Sequence, residues 1–186
     1  FTMKQRDDVG ELLHMDAKSG DIVHSNCPVP DNNDAIVRIS DGNNGLYIAG
    51  SFQKVGETER AYIAHINADC TLDNGFAPTL NSSVNAMWLD SSTSILYLGG
   101  SFTSVNGESR NRVASINIVD GSVTSFNPDA DNEVLGLLLD GTILYVGGQF
   151  TTIGGQNRNH FVAIDTISGN VKPLDLSPDG AVKSFA

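Results

Sequence analysis

Leu144-Tyr145-Val146-Gly147-Gly148-Gln149-Phe150 is the stretch that decides the fold, because variants of it occur twice earlier in the chain. Residues 96–102 read Leu-Tyr-Leu-Gly-Gly-Ser-Phe, and residues 46–52 read Leu-Tyr-Ile-Ala-Gly-Ser-Phe. The closing phenylalanines of the three stretches are 50 and 48 residues apart, and Phe1 lies 51 residues before the first of them. A fixed period of about 40 to 50 residues indicates a repeat architecture.

Each repeat is a series of short strand-like runs separated by turn residues. In the third repeat, apolar or β-branched runs cover residues 84–89, 95–102, 113–119 and 123–126, and Asp120-Gly121 marks the turn before the last run. The sequence shows no capped apolar run at helical spacing that is long enough for a helix. The pattern therefore predicts an all-β fold with four strands per repeat.

Four short antiparallel strands repeated every ~40 to 50 residues are typical of a β-propeller, in which each unit forms one blade around a channel. We place the units at approximately 1–30, 31–80, 81–130 and 131–180, with 181–186 starting another blade. Nearly four blades are present, and we expect the chain to be an excerpt of a larger propeller that is cut within a blade at both ends.

An open blade exposes unpaired amide and carbonyl groups that can pair with another chain. We therefore expect residues 181–185 to be completed by residues outside this sequence or by a second copy. Self-association through such edges is a further possibility.

The repeated glycines, aromatics and arginines each suggest a structural role. A glycine in a strand marks a bulge or a close backbone approach, so Gly99-Gly100 and Gly147-Gly148 are expected to admit a neighbouring strand or blade. The tyrosines and phenylalanines of the repeated stretch are expected to pack between blades. An arginine recurs eight residues after each phenylalanine, and a residue needed once per blade is expected to brace loops through hydrogen bonds; the three are Arg60, Arg110 and Arg158.

Composition limits the partners. The formal net charge is -11, whereas nucleic-acid binding relies on clustered Lys and Arg, so nucleic acid is not an expected partner. No apolar run approaches 18 residues, so we expect no membrane span in this segment.

Oxygen-rich side chains suggest one metal site. Asp129, Asp131 and Glu133 place three acids on alternate positions of a loop between units, and residues 31–34 form the corresponding Asp-Asn-Asn-Asp loop. Ca²⁺ takes about 6 to 8 oxygen ligands, which makes the first loop a calcium candidate, although Asp and Asn are also common turn residues. No other cofactor is expected.

Two histidines and two cysteines remain. His14 and His65 occupy the same column of successive units, and we interpret them as strand residues on neighbouring blades rather than as a metal pair. For Cys27 and Cys70, both a disulfide and two unrelated buried thiols stay open, because a disulfide needs Cα atoms within ~7 Å.

The units in residues 96–128 and 144–178 resemble the propeller repeats of bacterial secreted and surface proteins. The motifs that carry this resemblance are Leu-Tyr-x-Gly-Gly-x-Phe, a Val/Ile-x-Gly turn, the arginine and a Val-Ala-Ser-Ile or Phe-Val-Ala-Ile strand. The units are also similar to those of the fungal cortical polarity marker and, more distantly, of kelch-type propellers. The resemblance implies an extracellular or cell-surface setting and supplies no catalytic residues.

Three functions follow as hypotheses. The first is a non-catalytic extracellular or cell-surface module that binds a protein or a glycan, or acts as a scaffold. The second is a secreted enzyme on a propeller, such as an oxidase or a glycan-active hydrolase, with its site in blades outside this sequence. The third is a structural spacer or fibre subunit.

Overall fold

The computed structural model of the protein describes residues 2–6, 11–15, 22–32 and 37–185, and for residues before Cys27 it describes the backbone only. Phe1, Ala186 and the second half of the loop at 31–34 lie outside the described residues.

Within these ranges the chain forms strands and no helix, as the sequence predicts. No described segment is a helix with the length and hydropathy to cross a membrane. In chain order the strands are β1 (Thr2–Arg6), β2 (Glu11–Met15), β3 (Ile22–Cys27), β4 (Val37–Ser40), β5 (Leu46–Ala49), β6 (Lys54–Val55), β7 (Thr58–Glu59), β8 (Ile63–Ile66), β9 (Val84–Asp90), β10 (Ile95–Gly100), β11 (Ser104–Val105), β12 (Glu108–Ser109), β13 (Val113–Asn117), β14 (Val134–Asp140), β15 (Ile143–Gly148), β16 (Thr152–Ile153), β17 (Gln156–Asn157) and β18 (Phe161–Asp165).

The strands assemble into four small antiparallel sheets that follow one another along the chain. We call them sheet 1 (β1, β2, β3), sheet 2 (β4, β5, β8), sheet 3 (β9, β10, β13) and sheet 4 (β14, β15, β18). In sheets 2 to 4 the strand from the repeated stretch lies in the middle, and a two-stranded hairpin is inserted before the third strand. This repeated construction agrees with the predicted partial β-propeller.

The fourth strand of each unit is shorter than predicted. The sequence predicts a strand over residues 123–126, but of these only Val123 forms a bridge, to Ile116. Leu72 and Val171 make the corresponding single bridges in sheets 2 and 4. Pro128 lies two residues after Phe126 and has no backbone N–H to donate to a neighbouring strand. The chain then crosses to the next sheet.

The inserted hairpin of sheet 3 has a clear local cause. Asn106 and Gly107, between β11 and β12, have φ values of 51° and 80°. Positive φ at both central residues is what a type I′ turn requires, and Asn-Gly is the preferred pair for it. The Val-x-Gly columns of the sequence therefore mark these hairpins.

The core lies between successive sheets, and the middle strands alternate their side chains between two interfaces. Leu96 and Leu98 pack with Tyr47 of sheet 2, whereas Tyr97 packs with Val134 and Leu137 of sheet 4. Phe52, Phe102 and Phe150 have no solvent exposure. The prediction that these aromatics pack between blades is confirmed for the described interfaces.

The glycines permit this close stacking. A Cβ on Gly99 would lie 2.5 Å from Cγ1 of Val134, and a Cβ on Gly100 would lie 2.2 Å from the backbone oxygen of Ser83. Each glycine therefore admits a neighbour, one from the next sheet and one from its own sheet, as predicted.

Residues 181–185 are placed like the start of a further unit but form no ladder with the described residues. A Cβ on Gly147 would lie 2.7 Å from Cγ1 of Val182, so Val182 lies against sheet 4 as Val134 lies against sheet 3. Completion of this segment by other residues or by a second copy stays a prediction.

Candidate functional site

A groove of about 420 Å³ lies between sheets 3 and 4. Sheet 3 contributes Ile95, Tyr97, Ser115 and residues 124–127, and sheet 4 contributes residues 166–169, which follow β18. The volume is within the ~300–1,000 Å³ range of small-molecule sites. We refer to this feature as the groove.

Every side chain that lines the groove is uncharged. Tyr97 and Phe126 lie at the inner side of the groove and are only 6% and 7% exposed, with ring centroids 5.6 Å apart and an interplanar angle of 86°. The Ser115 and Thr124 hydroxyls are 2.5 Å apart and hydrogen-bonded. Ser125, like several other lining residues, carries a polar group, and its side chain is exposed. The accessible part of the groove therefore consists mainly of the polar side chains of Ser125, Asn127 and Ser168 and the apolar side chain of Ile167.

Tyr97 keeps its proton in this environment. Burial raises the pKa of the Tyr97 phenol, a hydrogen bond with the Thr166 side chain lowers it by less, and the charge of Asp90 raises it further. The phenol is thus neutral at neutral pH, and its O–H remains available as a donor.

Strand register places Ser115 and Thr124 beside Tyr97. Tyr97 of β10 is paired with Ser115 of β13, and the Ser115 carbonyl accepts a hydrogen bond from Thr124 N at 3.0 Å. In sheet 2 the same positions are Tyr47, His65 and Asp73, with the Asp73 N to His65 O hydrogen bond at 2.9 Å. The backbone hydrogen bonding at these positions is therefore equivalent in sheets 2 and 3, but the side chains differ.

A polar cluster occupies the equivalent place beside sheet 2. The imidazole of His65 is stacked on Tyr47 with centroids 4.3 Å apart and an interplanar angle of 21°. Its Nδ1 lies 2.9 Å from Oδ2 of Asp73, and its Nε2 lies 3.2 Å from Oδ2 of Asp41. His65 is thus a strand residue, as the sequence predicted, and it also bridges two carboxylates.

The cluster affects the titration of its members. Burial raises the pKa of the Tyr47 phenol to about 12, with further contributions from the charges of Asp41 and Asp73. For the Asp73 carboxyl, burial alone would raise the pKa, but hydrogen bonds from His65 and from the N–H groups of Gly75 and Phe76 outweigh it and lower the pKa.

The recurring arginines brace loops, which confirms the sequence interpretation. Arg60 Nη1 donates to the carbonyls of Asp73 and Phe76. Arg110 Nη2 donates to the Thr124 carbonyl at 2.8 Å, and Arg158 Nη1 lies 3.7 Å from Oδ2 of Asp175. Each arginine thus ties its hairpin to the segment that leaves the same sheet.

The three calcium candidates are all hydrogen-bonded to neighbouring segments. Asp129 Oδ1 accepts from Asn111 Nδ2 at 2.6 Å. Glu133 Oε1 accepts from Asn85 Nδ2 and from Ser101 Oγ, both at 2.8 Å. Among the residues that the structure describes, no group of three or more His, Cys, Asp or Glu side chains is arranged to hold a metal ion. Calcium at this loop stays a prediction.

The third candidate, Asp131, belongs to a repeated clamp that the sequence interpretation missed. Its Oδ1 accepts from the N–H groups of Thr151 and Thr152 at 2.8 and 3.0 Å. Asp31 Oδ1 accepts from residues 53 and 54 in the same way, and Asn81 Oδ1 from residues 103 and 104. The 50-residue spacing of these three positions was the available signal.

Cys27 and Cys70 form a disulfide with Cα atoms 4.6 Å apart. The bond joins the last strand of sheet 1 to the turn after β8 in sheet 2, so it links two consecutive units. Of the two alternatives left open by the sequence, the structure has the disulfide.

Three stretches of the chain match the sequence profile of a family described as "Domain of unknown function (DUF5122) beta-propeller": residues 42–76, 96–123 and 138–166. The stretches fall one each on sheets 2, 3 and 4. No functionally curated protein matches the chain. The three repeats are therefore similar to those of a β-propeller repeat family.

Proposed function

We propose that the chain is a non-catalytic carbohydrate-binding module of a secreted or cell-surface protein, and that the groove binds a neutral sugar. The observation that carries the proposal is the groove lining, which is uncharged and presents the exposed hydroxyl and amide groups of Ser125, Asn127 and Ser168 next to the exposed side chain of Ile167. A sugar ring presents hydroxyls at its edge and C–H groups on its faces. The hydroxyl and amide groups of the lining can meet the sugar hydroxyls, and the exposed side chain of Ile167 can meet a ring face.

Charge favours a neutral sugar over an acidic one. The lining has no cationic side chain to pair with a carboxylate, and the whole chain has a formal net charge of -11. Long-range repulsion therefore disfavours uronic and sialic acids, which are anions at neutral pH. Neutral hexoses and their oligomers are the expected ligands.

The disulfide supports the extracellular part of the proposal. Disulfides persist in oxidising compartments and are rare where cellular thiol systems keep cysteines reduced. Both cysteines of the chain are used in this one bond. A secreted or surface location, which the repeat resemblance also implies, fits this chemistry.

Titration calorimetry with a panel of neutral and acidic oligosaccharides tests the proposal. Binding of a neutral sugar with millimolar or better affinity is the expected result, and Asn127→Ala, at the exposed rim of the groove, should weaken it about 3- to 10-fold by removing one hydrogen bond. Asn43→Ala, an exposed site in the turn after β4, is the matched control and should leave affinity unchanged.

The proposal fails if no neutral sugar binds, or if Asn127→Ala and Asn43→Ala bind it equally. Chromatography of the sugar after incubation checks the enzyme alternative. Recovery of unchanged sugar supports a binding module, and conversion to a product contradicts it. If no sugar gives a calorimetric binding signal but a protein ligand binds, protein recognition is favoured instead.

A further inference from the structure

Two exposed apolar side chains occupy the same position in consecutive units. Val119 is 79% exposed and Ile167 is 83% exposed, the highest values among the large hydrophobic residues that the structure describes. Each lies in the turn that follows the third strand of its sheet, residues 118–121 after β13 and residues 166–169 after β18. Single exposed hydrophobic residues need no explanation, whereas two at one position of a repeat indicate a shared role.

The two turns have the same backbone hydrogen bonding. The glycines at positions 121 and 169, with φ values of 71° and 73°, donate their N–H groups to the carbonyls four residues earlier, at 2.9 and 2.8 Å. Asn117 Oδ1 accepts from Val119 N at 2.8 Å, and Asp165 Oδ1 accepts from Ile167 N at 3.1 Å. Both turns therefore hold an apolar side chain outward from an equivalent, hydrogen-bonded backbone.

Each turn lies at a boundary between two sheets. Ile167 lines the groove between sheets 3 and 4. Ile118, the neighbour of Val119, packs on the core cluster that contains Tyr47 of sheet 2 and Leu96 of sheet 3. The turn of Val119 therefore lies at the boundary between sheets 2 and 3, one unit away from the groove.

Sheet 2 has a different turn after its third strand. Cys70 N donates to the Asn67 carbonyl at 2.9 Å, so this turn is one residue shorter than the other two. Cys70, with a φ of 66°, replaces the glycine and carries the disulfide. The residues between Asn67 and Cys70 are an alanine and an aspartate. Within the described units, the exposed apolar tips therefore belong to sheets 3 and 4.

The spacing of the two tips favours a long ligand. Facing sheets pack ~10 Å apart, so a ligand that contacts both tips must be longer than a single sugar ring. A chain that contacts two places on one protein gains affinity, because the second contact forms within the complex. Asp120, next to Val119, is exposed and would repel an anionic chain, which again favours a neutral one.

We infer that the groove binds one part of an extended neutral polysaccharide, and that this chain continues from Ile167 to Val119 across sheet 3. The inference rests on the proposed function for the class of ligand. It adds a length requirement and a contact residue outside the groove.

Calorimetry with linear neutral oligosaccharides of glucose, mannose and xylose, from the monosaccharide to the hexasaccharide, tests the length requirement. For the series that binds, wild-type affinity should rise by about 10-fold or more with length. Val119→Ser should weaken the hexasaccharide about 3- to 10-fold by removing apolar contact area, and should leave the shortest sugar that binds unchanged. Ile167→Ser should weaken both the short and the long sugars.

Leu176→Ser is the matched control. Leu176 is 60% exposed in the segment that leaves sheet 4, so this change removes apolar surface outside the two turns and should leave every affinity unchanged. All three substituted side chains are exposed, so the melting temperatures should stay close to that of the wild type. Methyl NMR of valine-labelled protein gives a second readout, in which the Val119 signals should shift with the hexasaccharide and not with the shortest sugar.

The possible failures can be told apart. If short sugars bind and Ile167→Ser weakens them, but affinity does not rise with length or the Val119 methyl signals do not shift, the proposed function stands and the inference is wrong. If no neutral sugar binds the wild type, both are wrong. A protein ligand that loses affinity in Val119→Ser while no sugar binds would also overturn the inference and would assign the two tips to protein recognition.

Discussion

Gly99 and Val134 meet across the boundary between sheets 3 and 4 so closely that a Cβ on Gly99 would lie 2.5 Å from Cγ1 of Val134. Real Cβ atoms do not approach other heavy atoms so closely, so a larger residue at 99 requires a shift of β14 or of the Val134 side chain. Gly147 and Val182 repeat the relationship at 2.7 Å. Close stacking of successive sheets thus depends on this column, where Ala49 is the one larger occupant.

Gly99→Ala should destabilise the protein by about 1–3 kcal/mol, because overpacking forces side chains or backbone to move. Denaturant unfolding measures the change. Gly180→Ala is the control, since a Cβ there meets no atom within 4 Å. Val134→Ala should recover part of the loss when it is combined with Gly99→Ala. Equal stability of the two glycine variants would show that the sheets are not packed as described.

Removal of the disulfide should lower stability by about 4 kcal/mol, because Cys27 and Cys70 are 43 residues apart and the bond restricts the unfolded chain. The double variant Cys27→Ser/Cys70→Ser should melt on the order of 10 °C lower than the wild type. Reduction of the wild type should give a similar shift. A melting temperature that is insensitive to both changes would contradict a bond between these two cysteines.

The clamp at Asp131 predicts a specific loss of stability in acid. Partial burial would raise the pKa of its carboxyl, but hydrogen bonds from the Thr151 hydroxyl and the N–H groups of Thr152 and Thr151 outweigh it, so the pKa is lowered. A carboxyl with a lowered folded-state pKa contributes stability above its unfolded pKa of ~3.9 and loses it as the pH falls through the folded value.

Asp131→Asn should therefore remove part of the acid sensitivity. Asn81 shows that an asparagine can make the clamp, since its Nδ2 donates to Thr103 Oγ1 at 2.8 Å and its Oδ1 accepts from the backbone. The expected result is near wild-type stability at pH 7 and a shallower decline between pH 5 and 2. Asp131→Ala, which loses the clamp, should be less stable than Asp131→Asn at pH 7. Identical acid profiles for wild type and Asp131→Asn would contradict this account.

Tyr47 predicts a loss of stability at alkaline pH. Its folded-state pKa of about 12 exceeds the ordinary value near 10, so the unfolded chain releases the phenolic proton first. The stabilisation is complete below pH ~10 and is lost as the pH rises towards 12. Relative to Tyr47→Phe, the wild type should therefore become progressively less stable from pH 10 upwards. Parallel stability profiles of the two proteins over that range would contradict it.

Periodicity was enough to predict the architecture, because a residue that the fold requires recurs at the same position of each repeat. The glycine column predicted close approach of sheets, and the arginine column predicted loop bracing; Gly99 and Arg110 confirm both. Comparing the repeats for what they share did not reveal the groove, because its lining residues differ from one repeat to the next. Ser115 lines the groove where sheet 2 has His65, and this departure from the repeat becomes informative only when register pairs each residue with a tyrosine.

The sequence also does not give the distance between residues that are far apart along the chain. The sequence could not place Cys27 beside Cys70, because one lies in a strand and the other in a turn of the next unit. It also grouped Asp129, Asp131 and Glu133 by their alternation, whereas their hydrogen bonds go to three different segments. Side chains that alternate along a loop need not converge, and only the folded backbone shows where each one points.

A crystal structure of the protein with the neutral sugar selected by calorimetry tests the central claim most directly. The account predicts electron density for one sugar between sheets 3 and 4, with a ring face against Ile167 and hydroxyls within hydrogen-bonding distance of Ser125, Asn127 or Ser168. Density for the sugar elsewhere, for example beside Glu133 and Lys183, with the groove containing only solvent, would contradict it.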